Sequence, residues 1–147
     1  MGQVDKGKRS KTGKQIKRRL KTKGSSIMSN ELLEQVKAVA HQINVGVTWK
    51  DLEIESQAEE WDVEIDDIVP SSVWFDNEVL DHNFEINGDG SFKSGKVLVA
   101  FGGPNIWVNF STGQVEGFWG GDKATAPIFS DEMGIEFELE ERWEWVK

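Results

Sequence analysis

The first regular pattern along the chain is helical. Apolar residues recur there at three- and four-residue spacing, as Leu32, Leu33, Val36, Val39, Ala40 and Ile43. This spacing places them on one face of a helix. Ser29 or Asn30 can cap its N-terminus, and Gly46 ends it. The pattern therefore predicts a helix over residues 30–44.

A second, shorter helix is predicted over residues 49–60. Thr48 followed by Asp51 has the form of a capping box, and apolar residues follow at Leu52, Ala58 and Trp61. Successive short helices suggest a helix-turn-helix. However, residues 48–70 contain nine acids and one base, Lys50, and a phosphate backbone would repel such a surface. We therefore reject DNA reading by this segment.

From Ser72 onward, apolar residues recur at every second position, and short turn sequences separate the runs. The alternation predicts strands over residues 80–86, 96–101, 106–110 and 115–119. Because the connections between these segments are short, they favour an antiparallel meander over parallel crossovers.

A last strand is predicted near the C-terminus. Its apolar face would hold Ile135, Phe137, Leu139, Trp143 and Trp145, and its polar face Glu136, Glu138, Glu140 and Glu144. Such a strand buries one side and presents a row of carboxylates to water. The fold class predicted is α+β, with N-terminal helices packed on a four- to six-stranded antiparallel meander sheet.

Charge divides the chain into two parts. Residues 1–27 contain ten basic residues and one acid, for a net charge of +9, whereas residues 28–147 contain seven bases and 25 acids, for −18. The first part has too little apolar surface to offset the entropy of ordering. We therefore predict a disordered basic tail over residues 1–27 and a single acidic domain over residues 28–147.

Several roles are open for the basic tail. It has the charge of a nucleic-acid- or ribosome-binding arm, although it contains no aromatic residue to stack on bases. The clusters Lys8-Arg9 and Lys17-Arg18-Arg19 also suit a nuclear address. Alternatively, the tail is not part of the functional protein, since Met28 has the setting of a natural start. A +9 arm tethered to a −18 body could also fold back on it.

Composition excludes several classes of protein. The chain has no cysteine, which rules out disulfide scaffolds, cysteine-based zinc sites and thiol nucleophiles. No apolar run is long enough for a membrane span, and the basic N-terminus is not followed by the apolar stretch of a secretory signal. We expect a soluble, cytoplasmic protein with no membrane partner. The sequence does not indicate its oligomeric state.

Candidate catalytic residues are few. His41 is expected on the polar face of the first helix, and His82 on an apolar strand face. Carboxylates near His82 leave open a small metal-dependent enzyme around residues 76–82. No nucleophile–base pair with a known spacing is present. We therefore predict a protein that is not an enzyme and needs no cofactor or metal.

The acidic body with seven tryptophans favours a binding protein. Exposed tryptophan provides affinity at protein interfaces, and acids steer a cationic partner. We expect an immunity-protein-like or antitoxin-like inhibitor that occludes a basic partner, such as a nuclease toxin. The alternative is a nucleic-acid- or ribosome-associated protein acting through residues 1–27. The predicted contact residues are Asp51, Glu55, Glu59, Glu60, Asp62, Trp74, Asp76, Glu78, Asp81, Trp107, Trp119, Asp122, Glu136, Glu138 and Glu140.

Overall fold

The computed structural model describes residues 25–147, with side chains from residue 30 onward. In chain order, the elements are α1 (Ser25–Val45), α2 (Glu55–Trp61), α3 (Ser71–Glu78), β1 (Asp81–Ile86), β2 (Phe92–Ala100), β3 (Asn105–Asn109), β4 (Gln114–Trp119), β5 (Asp122–Pro127) and α4 (Ile135–Val146). The prediction of a disordered tail concerns residues that lie largely outside this range.

The five strands form one sheet in the order β1-β2-β3-β4-β5, and every neighbouring pair is antiparallel. The predicted meander is therefore confirmed. Val97 on β2 pairs with Val108 on β3, which in turn pairs with Val115 on β4. All three side chains are fully buried, and they define the inner face of the sheet.

Helices α1 and α4 cover this inner face. Helix α1 crosses β3, β4 and β5, and α4 lies against β2. The approach of α1 is close because β4 has a glycine below it: a Cβ at Gly117 would lie 2.5 Å from Cγ2 of Val36. Ile135 and Leu139 of α4 are fully buried in the same core. The α+β architecture is confirmed.

The last predicted strand is wrong, because residues 135–146 form helix α4. Asp131 starts the helix, since its carboxylate accepts hydrogen bonds from the backbone N–H groups of Ile135 and Glu136, both at 2.8 Å. Ile135 and Leu139 are then buried at i, i+4 spacing, whereas Phe137 remains 62% exposed. The alternating pattern was produced by apolar residues that the helix leaves in solvent.

The region before the sheet also differs from the prediction. Thr48 and Asp51 do exchange the hydrogen bonds of a capping box, at 3.0 and 2.9 Å, but only a turn follows them. Glu53 has a φ of 58°, which is incompatible with a continuous helix, so α2 begins at Glu55 rather than at residue 49. Two further elements, α3 and β5, were not predicted.

Candidate protein-binding surface

We call residues 51–67 the acidic segment. It leaves the core after α1 and returns to it before α3. Its ends are joined by backbone hydrogen bonds from Lys50 to Ile65 at 3.0 Å, from Trp49 to Asp67 at 3.3 Å and from Val69 to Val47 at 2.9 Å. These bonds hold the segment as a closed loop on the folded domain.

Every acid of the acidic segment is exposed. The nine carboxylates belong to Asp51, Glu53, Glu55, Glu59, Glu60, Asp62, Glu64, Asp66 and Asp67, and no Lys, Arg or His lies among residues 51–67. They provide a contiguous stretch of negative charge along the chain. The arrangement attracts cationic groups at long range and cannot hold an anion.

Apolar side chains are exposed in the same segment and directly after it. Trp61 is 51% exposed, and Val63, Ile65 and Ile68 are also exposed. The ring of Trp61 lies 5.6 Å, centroid to centroid, from that of the buried Trp49. Trp61 is therefore packed against a fixed partner while half of its surface remains accessible, so little conformational entropy would be lost when a protein binds it.

Trp61 was missing from the predicted contact residues. In the sequence it serves as the last apolar residue of a helix face, which is a reason to expect burial. The local signal for exposure is Asp62, which has a φ of 59° and ends α2 with its N–H bonded to Glu59 at 3.1 Å. Since the helix ends there, Trp61 lies at its tip instead of being enclosed by a following turn.

A shallow depression of about 290 Å³ lies between α3, β1 and α4. It brings together Asp76, Asp81 and His82, as the sequence suggested, but adds Arg142. Arg142 donates a hydrogen bond to Asp76 at 3.1 Å. The ring of His82 lies between those of Phe75 and Phe84, at 5.4 and 5.1 Å.

Both aspartates of the depression have hydrogen-bond partners. The Asp76 carboxylate is paired with Arg142, and the Asp81 carboxylate accepts a hydrogen bond from the backbone N–H of His82 at 2.8 Å. Within residues 25–147, no cluster of three or more His, Asp or Glu side chains is arranged to hold a metal ion.

The glutamates that were predicted to form one row on the last strand lie on helix α4 and differ in their exposure to solvent. Glu138 is only 6% exposed, and it accepts hydrogen bonds from Ser71 Oγ and from Arg142 Nε, both at 2.9 Å. Glu136 is partly buried and accepts one from Ser94 Oγ at 2.8 Å. Glu140 is exposed. Glu138 is therefore a structural residue, and its assignment to a contact surface is corrected.

The three tryptophans predicted at the surface also differ in position. Trp74 is 1% exposed and belongs to the core, so it offers no surface to a partner. Trp119 is partly buried and packs against the core. Trp107 points to the outer face of the sheet, since its neighbours Ile106 and Val108 are buried on the inner face, and Lys96 lies 4.4 Å above its ring.

The remaining predicted residues are separated from the acidic segment along the chain. Glu78 is partly buried at the end of α3, and Asp122 is partly buried at the start of β5. Five of the predicted contact residues lie together in the acidic segment and are exposed, with Trp61 exposed among them: Asp51, Glu55, Glu59, Glu60 and Asp62.

Comparison with known proteins gives no relative. No protein-family model, no curated protein and no solved structure matches the chain. In the part of the chain that the structure describes, none of the helices has the length and apolar character needed to cross a membrane.

Proposed function

We propose that this protein is an acidic inhibitor that binds a cationic protein through the acidic segment and blocks that protein by steric occlusion. The observation that carries the proposal is the combination, within residues 51–68, of nine exposed acids, no exposed base and an exposed Trp61. A nuclease toxin is a suitable partner, because an enzyme that binds nucleic acid has a basic site.

The two kinds of side chain have different roles in this proposal. The carboxylates accelerate encounter with a basic surface, by a factor that falls steeply as salt screens them. Trp61 and its apolar neighbours provide short-range affinity once water is excluded. In this proposal no bond is made or broken and no cofactor is needed, and the protein acts in the cytoplasm.

Affinity capture with the full chain, followed by mass spectrometry, tests the proposal. We expect a basic partner whose association rate falls by at least about tenfold between low and high salt. Trp61→Ala should increase the dissociation rate, at a cost of about 2 kcal/mol or more in binding. The triple charge reversal Glu59→Lys, Glu60→Lys and Asp62→Lys should abolish capture.

The control reverses the same number of charges outside the acidic segment. Glu34, Glu85 and Glu132 are exposed acids on α1, on β1 and before α4. Their replacement by lysine should leave capture of the same partner intact. A neutral or acidic partner, or equal loss of capture with the control variant, would contradict the proposal.

The competing function, nucleic-acid or ribosome binding through residues 1–27, predicts a different outcome. Bound RNA would be lost on replacement of the basic residues of the tail and unaffected by Trp61→Ala. Gel-shift measurements on these two variants of the full chain distinguish the two functions.

A further inference from the structure

We call the side chains of Trp61, Val63, Ile65 and Ile68 the apolar patch; each remains 38–51% exposed in the described part of the chain. Exposed acids alternate with these side chains along residues 51–67, and residues 30–147 contain only seven Lys and Arg residues in all. The same chain contains a strongly basic segment before α1: ten of its first 24 residues are Lys or Arg. Charge complementarity therefore identifies an occupant within the protein itself.

Covalent geometry decides which basic residues reach the patch. Helix α1 has 21 residues and is therefore about 30 Å long. The basic segment joins its N-terminus, whereas the acidic segment follows its C-terminus, where Ile68 pairs with Thr48. An occupant must therefore span about the length of α1.

An extended chain covers at most about 3.6 Å per residue. Lys11 lies 14 residues before Ser25, so it has a maximum reach of about 50 Å. Arg19 lies six residues before Ser25, with a reach of about 22 Å, which is shorter than the helix. Lys14 and the bases before it satisfy this limit, and the cluster Lys8, Arg9 and Lys11 lies well within it.

We infer that Lys8, Arg9 and Lys11 dock on the acidic segment of their own chain and cover Trp61 and its apolar neighbours. The basic segment is then a tethered competitor, which a partner must displace. Tethering provides an effective concentration in the millimolar range, so weak contacts are sufficient for occupancy. The inference rests on the proposed function in taking this surface as the partner site, but its test requires no partner.

Because the chain has no cysteine, a single introduced cysteine can hold a spin label. We would label Ser10→Cys in the full chain and measure the amide signals of residues 59–66. At an ionic strength of about 0.01 M, where the screening length is about 30 Å, most of their intensity should be lost. At about 1 M salt, where it is about 3 Å, the intensity should return. A label at Thr22→Cys should leave these amides unchanged.

Two charge variants of the labelled Ser10→Cys chain provide the matched comparison. Lys8→Glu, Arg9→Glu and Lys11→Glu should abolish the broadening, whereas Arg19→Glu, Lys21→Glu and Lys23→Glu change the total charge equally and should retain it. The inference would be overturned if the amide signals of residues 59–66 were not broadened at low salt, or if both charge variants lost the broadening equally.

A mixture of spin-labelled chains and isotope-labelled chains without a spin label tests for a second copy as the occupant. Broadening in that mixture would show that the basic segment docks on another molecule, and this result would also overturn the inference. Broadening within one chain, together with failure to capture any cationic partner, would support the inference and reject the proposed function.

Discussion

The acidic segment and helix α4 are both rich in glutamate, yet only α4 has glutamates that are buried or partly buried and bonded to distant parts of the fold. In the acidic segment all nine acids are exposed, and apolar side chains are exposed beside them. In α4, Glu138 is buried against Ser71 and Arg142, and Glu136 is bonded to Ser94. Acid content alone therefore does not identify a binding surface; the partners of each carboxylate do.

The largest effect on stability is expected from substitutions on the face of α4 that packs in the core. Leu139→Ala removes a fully buried side chain and should lower the free energy of unfolding by about 2–5 kcal/mol. Phe137→Ala, two residues away, removes a side chain that is 62% exposed and should change it by about 0.5 kcal/mol or less. Urea denaturation measures both. Equal losses would indicate the strand arrangement, in which the two residues share a face.

A smaller loss of stability is expected when Glu138 is replaced. Glu138→Ala removes one of the two carboxylates paired with Arg142 and the acceptor of Ser71, so stability should fall by about 1–3 kcal/mol. Glu60→Ala, in the acidic segment, should change it by about 0.5 kcal/mol or less, because that carboxylate is exposed. Thermal unfolding of the two variants measures the contrast. Equal losses would contradict the distinction between the two regions.

Neutralising acids in the acidic segment should separate binding from folding. The triple variant Glu59→Gln, Glu60→Gln and Asp62→Asn reduces repulsion among neighbouring carboxylates and should raise stability by a few tenths of a kcal/mol. The same variant should slow association with a basic partner. Stopped-flow kinetics and denaturation on one sample check both. A loss of stability would indicate that these acids are structural, as Glu138 is.

The smallest effect concerns the turn between β1 and β2. The hydrogen bond from Ser91 Oγ to Asp89, at 2.6 Å, lowers the pKa of that carboxyl, and the Ser91 backbone N–H contributes further. A lowered pKa stabilises the fold above the unfolded-state pKa, and this contribution is lost as pH falls through the folded-state value. Ser91→Ala should return the pKa of Asp89 toward its ordinary value, as measured by NMR titration. If the pKa of Asp89 is the same in the Ser91→Ala variant, the Ser91 hydroxyl is not the cause of the lowered pKa.

The predictable parts of the fold are those in which local pattern and burial agree. The apolar residues of α1 at 32, 36, 40 and 43 are all buried against the sheet, so helical spacing was a reliable signal. The short turns between strands likewise determined an antiparallel order. Strand β5 was missed because Asp122–Pro127 has only small or polar residues and pairs through its backbone.

Helix α4 was misread for a physical reason. Phe137 and Trp145 are exposed, at 62% and 70%, and apolar residues in solvent carry no information about which face is buried. Their positions completed an alternating pattern. The capping contacts of Asp131, which favour the helix, were not recognised in the sequence.

The sequence by itself determined where the charges lie: a basic first 27 residues, an acidic body and nine acids between residues 51 and 67. It also favoured an antiparallel meander, since its predicted strands are joined by short connections. Only the tertiary structure decided which carboxylates are exposed to solvent and which are buried. Ser71 and Glu138 are 67 positions apart and Ser94 and Glu136 are 42 apart, so the contacts that bury or release a carboxylate arise only when distant segments pack together.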